Sequence, residues 1–298
     1  MAIDKSIQII IIKIILMLSL ITNNIENDNF VYKKIYNYQK FQTNSSLLKI
    51  FIMTHKDFDN ARNNPIYNIV ADDKSQLKNN YSLNIIYANE GNLYNKKKAY
   101  SEISKLYFIY QLYKKGKMTS KYIGLNHYRR YFIFGDNVPY LENLFKNYDV
   151  ILNKQYHLKK SIRKQYCKIH ICKNYDEILN IIKETKPEYY KTAKRTSKER
   201  KLYICNLFIM KKEDFFKYCK FMFDILFEFD KRNNLTSDDD VLNYSKNYYN
   251  NSVDFDYQSR LQSFLSERIS NIFFKHHFKR IKEFDIIFVN NQSRIRNL

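Results

Sequence analysis

Arg129 and Arg130 stand side by side in residues 122–132, YIGLNHYRRYF, with His127 and Tyr128 just before them and aromatic residues just after. Two adjacent guanidinium groups offer fixed forks of donors that match phosphate oxygens two at a time. A neighbouring tyrosine can stack on a base or a sugar, and a histidine can donate, accept or ligate. An isolated Arg pair can equally serve ordinary ion pairs, and a lone His can be a satisfied core residue. Here the apolar residues YIGL place the cluster at the end of a short predicted strand. In open α/β sheets ligands bind beyond the carboxyl ends of strands, so this string suits an anion-binding strand end.

A second polar cluster, Thr54-His55-Lys56, follows the apolar run LKIFIM at residues 48–53. Two acidic groups could hold Mg²⁺ or Mn²⁺, which prefer carboxylate oxygens. Asp238-Asp239-Asp240 lies in the Asn/Asp/Ser/Tyr-rich stretch 233–252 and reads as part of a solvated, mobile surface loop. Asp254 and Asp256 alternate around Phe255, so on a strand they share one face, which makes them the metal candidates. Cys167, His170 and Cys172 lack a fourth ligand for zinc. With no CxxC pair, these two cysteines, Cys205 and Cys219 read as buried free thiols.

The elements that must position these groups are legible from periodicity. Residues 48–53, 83–87, 122–125, 149–152 and 202–210 read as strands, the last (LYICNLFIM) being the strongest. Residues 101–115 form a predicted helix with Ile103, Leu106, Tyr107, Tyr110 and Tyr113 on one side, and Gly116 stops it. A second runs from Glu213 to about Arg232, acidic in its first turn and basic in its last, with Phe215, Cys219, Met222, Leu226 and Phe229 as its core stripe. A closing helix from Ser259 to about Lys275 presents Leu261, Phe264, Leu265 and Ile272. Strands alternating with helices argue an α/β domain.

Composition narrows the partners. In 298 residues, 45% hydrophobic content with 27 Tyr and 22 Phe fills a sizeable core, and 4 Gly and 3 Pro exclude collagen-like or Pro-rich chains. The formal charge is +21, from 51 basic and 30 acidic residues, which suits phosphates, nucleotides or an anionic membrane surface. Lysine is spread through every segment rather than gathered on one face, so no nucleic-acid partner is expected; AT-rich coding accounts for much of the excess. Residues 7–21 (IQIIIIKIILMLSLI) are apolar but short for a span and interrupted by Lys13. They read as a weak N-terminal anchor giving membrane association, with a signal peptide as the alternative. The layout is then a hydrophobic segment at 1–22, a polar linker at 23–47, a folded domain at 48–290 and a tail at 291–298.

Five segments in order, LKIFIMTHKDF, AYSEISKLYFIYQL, YIGLNHYRRYF, NLFIMKKEDFFKYCKFMFDILFE and FLSERISNIFF, resemble the domain-of-unknown-function family 4422. That family occurs in capsular and exopolysaccharide biosynthesis proteins and is glycosyltransferase-like, related to the GT-A nucleotide-sugar fold. The resemblance covers about residues 48–290. It implies a GT-A-like mixed sheet flanked by helices, forming a single catalytic domain after the N-terminal hydrophobic segment. The implied activity moves a sugar from a nucleotide-sugar donor to a glycan or lipid-linked acceptor. The alternative is a non-catalytic relative that binds nucleotide-sugar or glycan on the same fold.

The resemblance also implies roles. Thr54 and His55 would lie near the nucleotide, and Tyr100-Ser101-Glu102 match a Tyr-x-Glu helix start, where the N-terminus welcomes donor phosphates. His127, Tyr128, Arg129 and Arg130 occupy the strand end where many GT-A enzymes carry a metal-binding Asp-x-Asp, so arginines could replace the metal there. Asn206 would line the acceptor side, and Gln258, Arg260, Glu267 and Arg268 match the closing helix, the last two also readable as a plain surface pair. An inverting transfer needs one carboxylate base, for which Glu102, Asp136 and Glu267 are the candidates; a retaining course is equally open.

Overall fold

The structure is a computed structural model that describes residues 46–58, 65–134, 141–248 and 254–288. Asp136, the N-terminal apolar run, the linker as far as residue 45 and the C-terminal tail lie outside the described residues.

Four strands, β1 (Leu48–Met53), β2 (Tyr67–Ala71), β3 (Asn84–Tyr87) and β4 (Tyr122–His127), run parallel in the spatial order β3-β2-β1-β4. A parallel strand is covered on both faces, which is why LKIFIM is apolar at every position except the half-buried Lys49. Its side chains still alternate: Phe51 and Met53 enter one apolar cluster, and Leu48, Ile50 and Ile52 enter the other.

Beyond β4 the sheet is mixed. It adds β5 (Arg130–Ile133), β6 (Val150–Asn153), β9 (Phe208–Lys211) and β10 (Ile281–Phe288), while β7 (Tyr156–His157) and β8 (Lys201–Leu202) make a separate ribbon. β9 is antiparallel to both β4 and β6, and β10 is parallel to β6 and antiparallel to β5. β5 returns to β4 through the single pair His127–Arg130, so the pairings close on themselves. Between β1 and β9 the chain of β4 carries Gly124, where a Cβ would sit 3.0 Å from the Cγ1 atoms of both Ile50 and Ile209. Only the absence of a side chain leaves room for the two flanking isoleucines there.

Helices Glu102–Lys114, Lys212–Arg232 and Leu261–His277 cover one face of the sheet. Phe215, Cys219, Met222, Leu226 and Phe229 are all buried, as their spacing predicts. Lys212–Arg232 carries Glu213 and Asp214 in its first turn and Lys231 and Arg232 in its last. Its Asp230 is a buried hub that accepts from Tyr100 Oη at 2.6 Å and from Gln262 Nε2 at 2.7 Å, and it pairs with Lys96. A buried carboxylate is tolerated because every oxygen is occupied.

Several sequence readings are corrected. Residues 202–210 are not one strand: the chain bends at Cys205 and Asn206, whose φ values of 70° and 52° cannot continue an extended run, leaving β8 and β9 in different sheets. Cys167 and Cys172 are joined by a disulfide rather than free, so they offer no thiolates to a metal; Cys205 and Cys219 are free and buried. The stretch read as a mobile loop contains the helix Asp238–Lys246, started by a capping box between Ser237 and Asp240. Asp254 and Asp256 do not share a strand face: Asp254 caps the short helix Phe255–Gln258, accepting from Tyr257 N, and Asp256 pairs with Lys98 at 2.8 Å. Strand β2, helices Ile162–Ile169, Cys172–Thr185 and Pro187–Lys198, and strand β10 were not anticipated.

Candidate active site

The carboxyl ends of β1, β2 and β4 open into a cleft of about 440 Å³. Thr54 and His55 enter it from β1, Asp72 from β2 and His127 from β4; Ser101, Glu102 and Lys105 come from the start of the covering helix. Lys97, Lys98, Asp238 and Arg260 complete the wall. Spacing explains the helix contribution, since positions 101, 102 and 105 fall on one side of a helical turn. Ser101 itself has φ 51° and ψ −126°, a strained backbone for a residue other than glycine, and its Oγ accepts from Arg260 Nη2 at 3.1 Å.

Positive charge dominates. The guanidinium of Arg129 lies over the Tyr128 ring at 5.1 Å and that of Arg130 over the Phe288 ring at 4.6 Å. The Nε atom of each is buried with no hydrogen-bond partner among the described residues. A buried donor without a partner is costly, and an anion bound beside it would satisfy it. His127 feels them: burial first, then Arg130 and Arg129, hold its pKa well below the ordinary histidine value. His55 is also lowered, by desolvation and then by Lys105, Arg260, Lys56 and Arg129. Both imidazoles are therefore neutral at neutral pH. His127 Nδ1 accepts from the Arg129 backbone N–H at 3.2 Å, which puts the ring proton on Nε2 as a donor.

The carboxylates differ in how far they are committed. Asp72 forms a buried pair with Lys105 at 2.7 Å. Asp238 accepts from the backbone N–H groups of Lys98 at 3.1 Å and Ala99 at 2.8 Å. Glu102 has only long contacts, 3.5 Å from Asn206 Nδ2 and 3.3 Å from Ser263 Oγ. It is the least engaged carboxylate of the cleft.

Thr54, His55, Glu102, His127 and Arg260 thus line one cleft, while Arg129 and Arg130 follow His127 in the chain and act on its charge without lining the cleft themselves. The other expected residues are placed differently. The Tyr128 ring is buried, packed edge-on to His55 at 5.3 Å, so it supports the cations instead of stacking on a ligand. Thr54 spends its hydroxyl on the turn, donating to Lys56 O and accepting from Lys56 N. Asn206 is buried among Ser266, Ser270 and Glu102. Gln258 reaches away from the cleft to His170 Nδ1 at 3.1 Å and Ile169 O at 3.0 Å. Glu267 accepts from Cys205 N at 3.0 Å and pairs with Arg268, which is itself tied to Gln165 and Phe264. That pair is a structural latch. Among the described residues no group of three His, Cys, Asp or Glu is arranged to hold a metal ion. Asp72, Lys97, Lys98 and Lys105 were missed, and Asp238, read as solvated loop, lines the cleft; the short run YNIVA before Asp72 and the helical spacing from Glu102 to Lys105 were the available signals.

The chain belongs to the family described as "Domain of unknown function (DUF4422)", whose model matches residues 49–278. No curated protein matches it. Among solved structures it is similar to the WbbM bifunctional glycosyltransferase in its apo form, with 21% identity and a TM-score of 0.63 over 82% of this chain and 46% of that one. The chain thus spans less than half the length of that protein, and at this identity the likeness is one of fold. A match to the mannosyltransferase Ktr4p from S. cerevisiae, at 11% identity over 65% of this chain and 69% of that one, has a TM-score of 0.29 and carries no argument. The mixed α/β fold is therefore similar to that of a glycosyltransferase.

Proposed function

We propose that the cleft holds the diphosphate of a nucleotide-sugar and that the protein is a glycosyltransferase acting on a glycan or lipid-linked acceptor in surface polysaccharide synthesis. The observation that carries this is the pair Arg129 and Arg130, with buried unpartnered Nε atoms, directly after the cleft residue His127. Transfer breaks the bond between the anomeric carbon and a phosphate oxygen and leaves a nucleoside diphosphate. In this reading its growing charge falls near His127, the group on which Arg130, Arg129 and Arg260 all act, and His127 Nε2–H adds a neutral donor. This strand end does not fit Mg²⁺ or Mn²⁺, since hard cations take oxygen ligands and here meet an imidazole and two guanidinium groups. Cations of the chain itself supply the stabilisation.

In an inverting displacement Glu102 is the base. The acceptor oxygen bonds to the anomeric carbon as its proton passes to the Glu102 carboxylate. Work at an anionic membrane, with residues 7–21 as a weak anchor, fits the basic charge and belongs to the same proposal.

The test is a panel of nucleotide-sugars with purified protein, reading nucleoside diphosphate release with and without Mg²⁺ or Mn²⁺. Turnover that disappears in Arg129→Ala/Arg130→Ala supports the reading. Turnover that survives both changes removes these residues from it. Binding of nucleotide-sugar with no turnover on any acceptor makes the protein a binding-only relative.

A further inference from the structure

Among the described residues the large apolar side chains most open to solvent are Tyr156, Ile169, Tyr248 and Tyr257; Ile169 and Tyr257 are neighbours, and Tyr248 lies against Lys173, four residues after Ile169. Ile169 and Tyr257 are joined by the Gln258 amide, which donates to Ile169 O at 3.0 Å, and by His170, whose ring faces that of Tyr257 at 6.5 Å. Tyr248 joins through Lys173, whose Nζ donates to its hydroxyl at 3.2 Å and lies 5.7 Å from its ring centre. Exposed lysines border the patch: Lys168 and Lys173 on one side, and Lys246 within electrostatic reach of Asp256 on the other.

The patch adjoins the cleft. Arg260, which lines the cleft, lies 5.9 Å from the Tyr257 ring, and Asp256 pairs with the cleft residue Lys98 at 2.8 Å. Clustered exposed rings of this kind mark interaction sites. Tyrosines bring flat apolar faces with a polar tip, which suit the C–H faces of pyranose rings, and lysines between them suit carboxylates or phosphates carried on a sugar chain.

We infer that this patch is the docking surface for the acceptor and that the acceptor is an anionic glycan, laid across Tyr248, Lys173 and Tyr257 so that its end enters the cleft past Arg260. The inference rests on the transferase reading, because it names the acceptor of that reaction. Tyrosine rings continuous with a sugar-transfer cleft favour a glycan over a bilayer, which is met by larger apolar groups standing proud of a basic face.

The experiment titrates a hyaluronan hexasaccharide (anionic) and maltohexaose (neutral) into the full chain, and measures donor cleavage by water separately. The expected result is binding of the anionic probe, weakened roughly tenfold in Tyr248→Ala/Lys173→Ala, as loss of one stacking contact and one cation implies. Donor cleavage stays unchanged in that variant, and Tyr156→Ala, the exposed ring outside the patch, binds as wild type. A failed donor assay therefore counts against the transferase reading, and a failed titration against this one. Equal binding of both probes, binding indifferent to the double variant, or no binding overturns the inference. So does a double variant that leaves the hexasaccharide unaffected but abolishes association with phosphatidylglycerol-containing vesicles, which assigns the patch to a membrane.

Discussion

Asn206 sits in the left-handed region of backbone space at φ 52° and aims its amide at Glu102, with Nδ2 3.5 Å from Oε1 of that carboxylate. The same nitrogen donates to Ser266 Oγ at 3.0 Å, and Ser270 Oγ donates to Asn206 Oδ1 at 2.8 Å. Cys205 before it is also left-handed, and its N–H is held by Glu267 at 3.0 Å. Two strained residues thus tie the β9 entry to both carboxylate-bearing helices. Asparagine tolerates this conformation better than other side chains. Asn206→Gly should keep the backbone and lose only the hydrogen bonds, costing about 1–3 kcal/mol. Asn206→Ala should add about 1 kcal/mol of backbone strain to that loss. Urea unfolding of the two variants separates the contributions; equal stabilities would show that the turn is not strained.

If Glu102 is the base, Glu102→Gln should keep the shape of the cleft and the affinity for nucleotide while lowering kcat by roughly 10²–10⁴. Isothermal titration with a nucleoside diphosphate, beside steady-state rates, reads the two quantities independently. A Gln variant with near-normal kcat passes the role elsewhere.

Charge alone does not explain the strand-end arginines. Lysine keeps the charge and loses the rigid fork, so Arg130→Lys should bind nucleoside diphosphate more weakly than wild type and more tightly than Arg130→Ala. The alanine change should raise Kd by about ten- to a hundredfold, the range for a charge-assisted pair of bonds. Arg129 should behave alike, and the loss should shrink as salt screens the phosphate.

Acid stability should report on His170, whose ring is buried against Phe264 at 4.0 Å. Burial pushes its pKa down from 6.5 to about 4, against the hydrogen bond to Gln258, which raises it. A depressed folded pKa means the unfolded chain binds the extra proton first. The contribution is therefore complete above pH 6.5 and is lost as pH falls toward 4, by roughly 3 kcal/mol in all. His127 and His55 are shifted the same way and add to the slope. Thermal melts of wild type and His170→Gln between pH 7 and pH 4 should show a shallower acid decline in the variant.

Gly124 should resist replacement. A valine there would drive into Ile50 and Ile209, whose Cγ1 atoms already stand 3.0 Å from a hypothetical Cβ, and into Phe208 O at 3.3 Å. The expected loss is about 1–3 kcal/mol in urea, the range for overpacking a filled core. Ile209→Ala in the same chain, which removes the clashing Cγ1, should recover part of it.

What the sequence determined by itself were the features written in local periodicity and in contiguous strings. The helix at 213–232 is legible because its apolar stripe and its terminal charges agree, and LKIFIM and YIGL read as strand interiors because buried parallel strands are largely apolar on both faces. The adjacent pair Arg129 and Arg130, on which the proposed anion binding rests, was equally local. Tertiary structure decided whatever depends on residues far apart in the chain. It set Asp72 against Lys105, brought Asp238 from a stretch that reads as loop to the N–H groups of Lys98 and Ala99, and turned Tyr128 inward as a support. It also broke LYICNLFIM at Cys205 and Asn206, where bonds to the Leu261–His277 helix outweigh the β propensity of the string. Periodicity reports which face of an element is buried; it carries no information about which distant group satisfies a buried polar atom, and that pairing is what shapes the cleft.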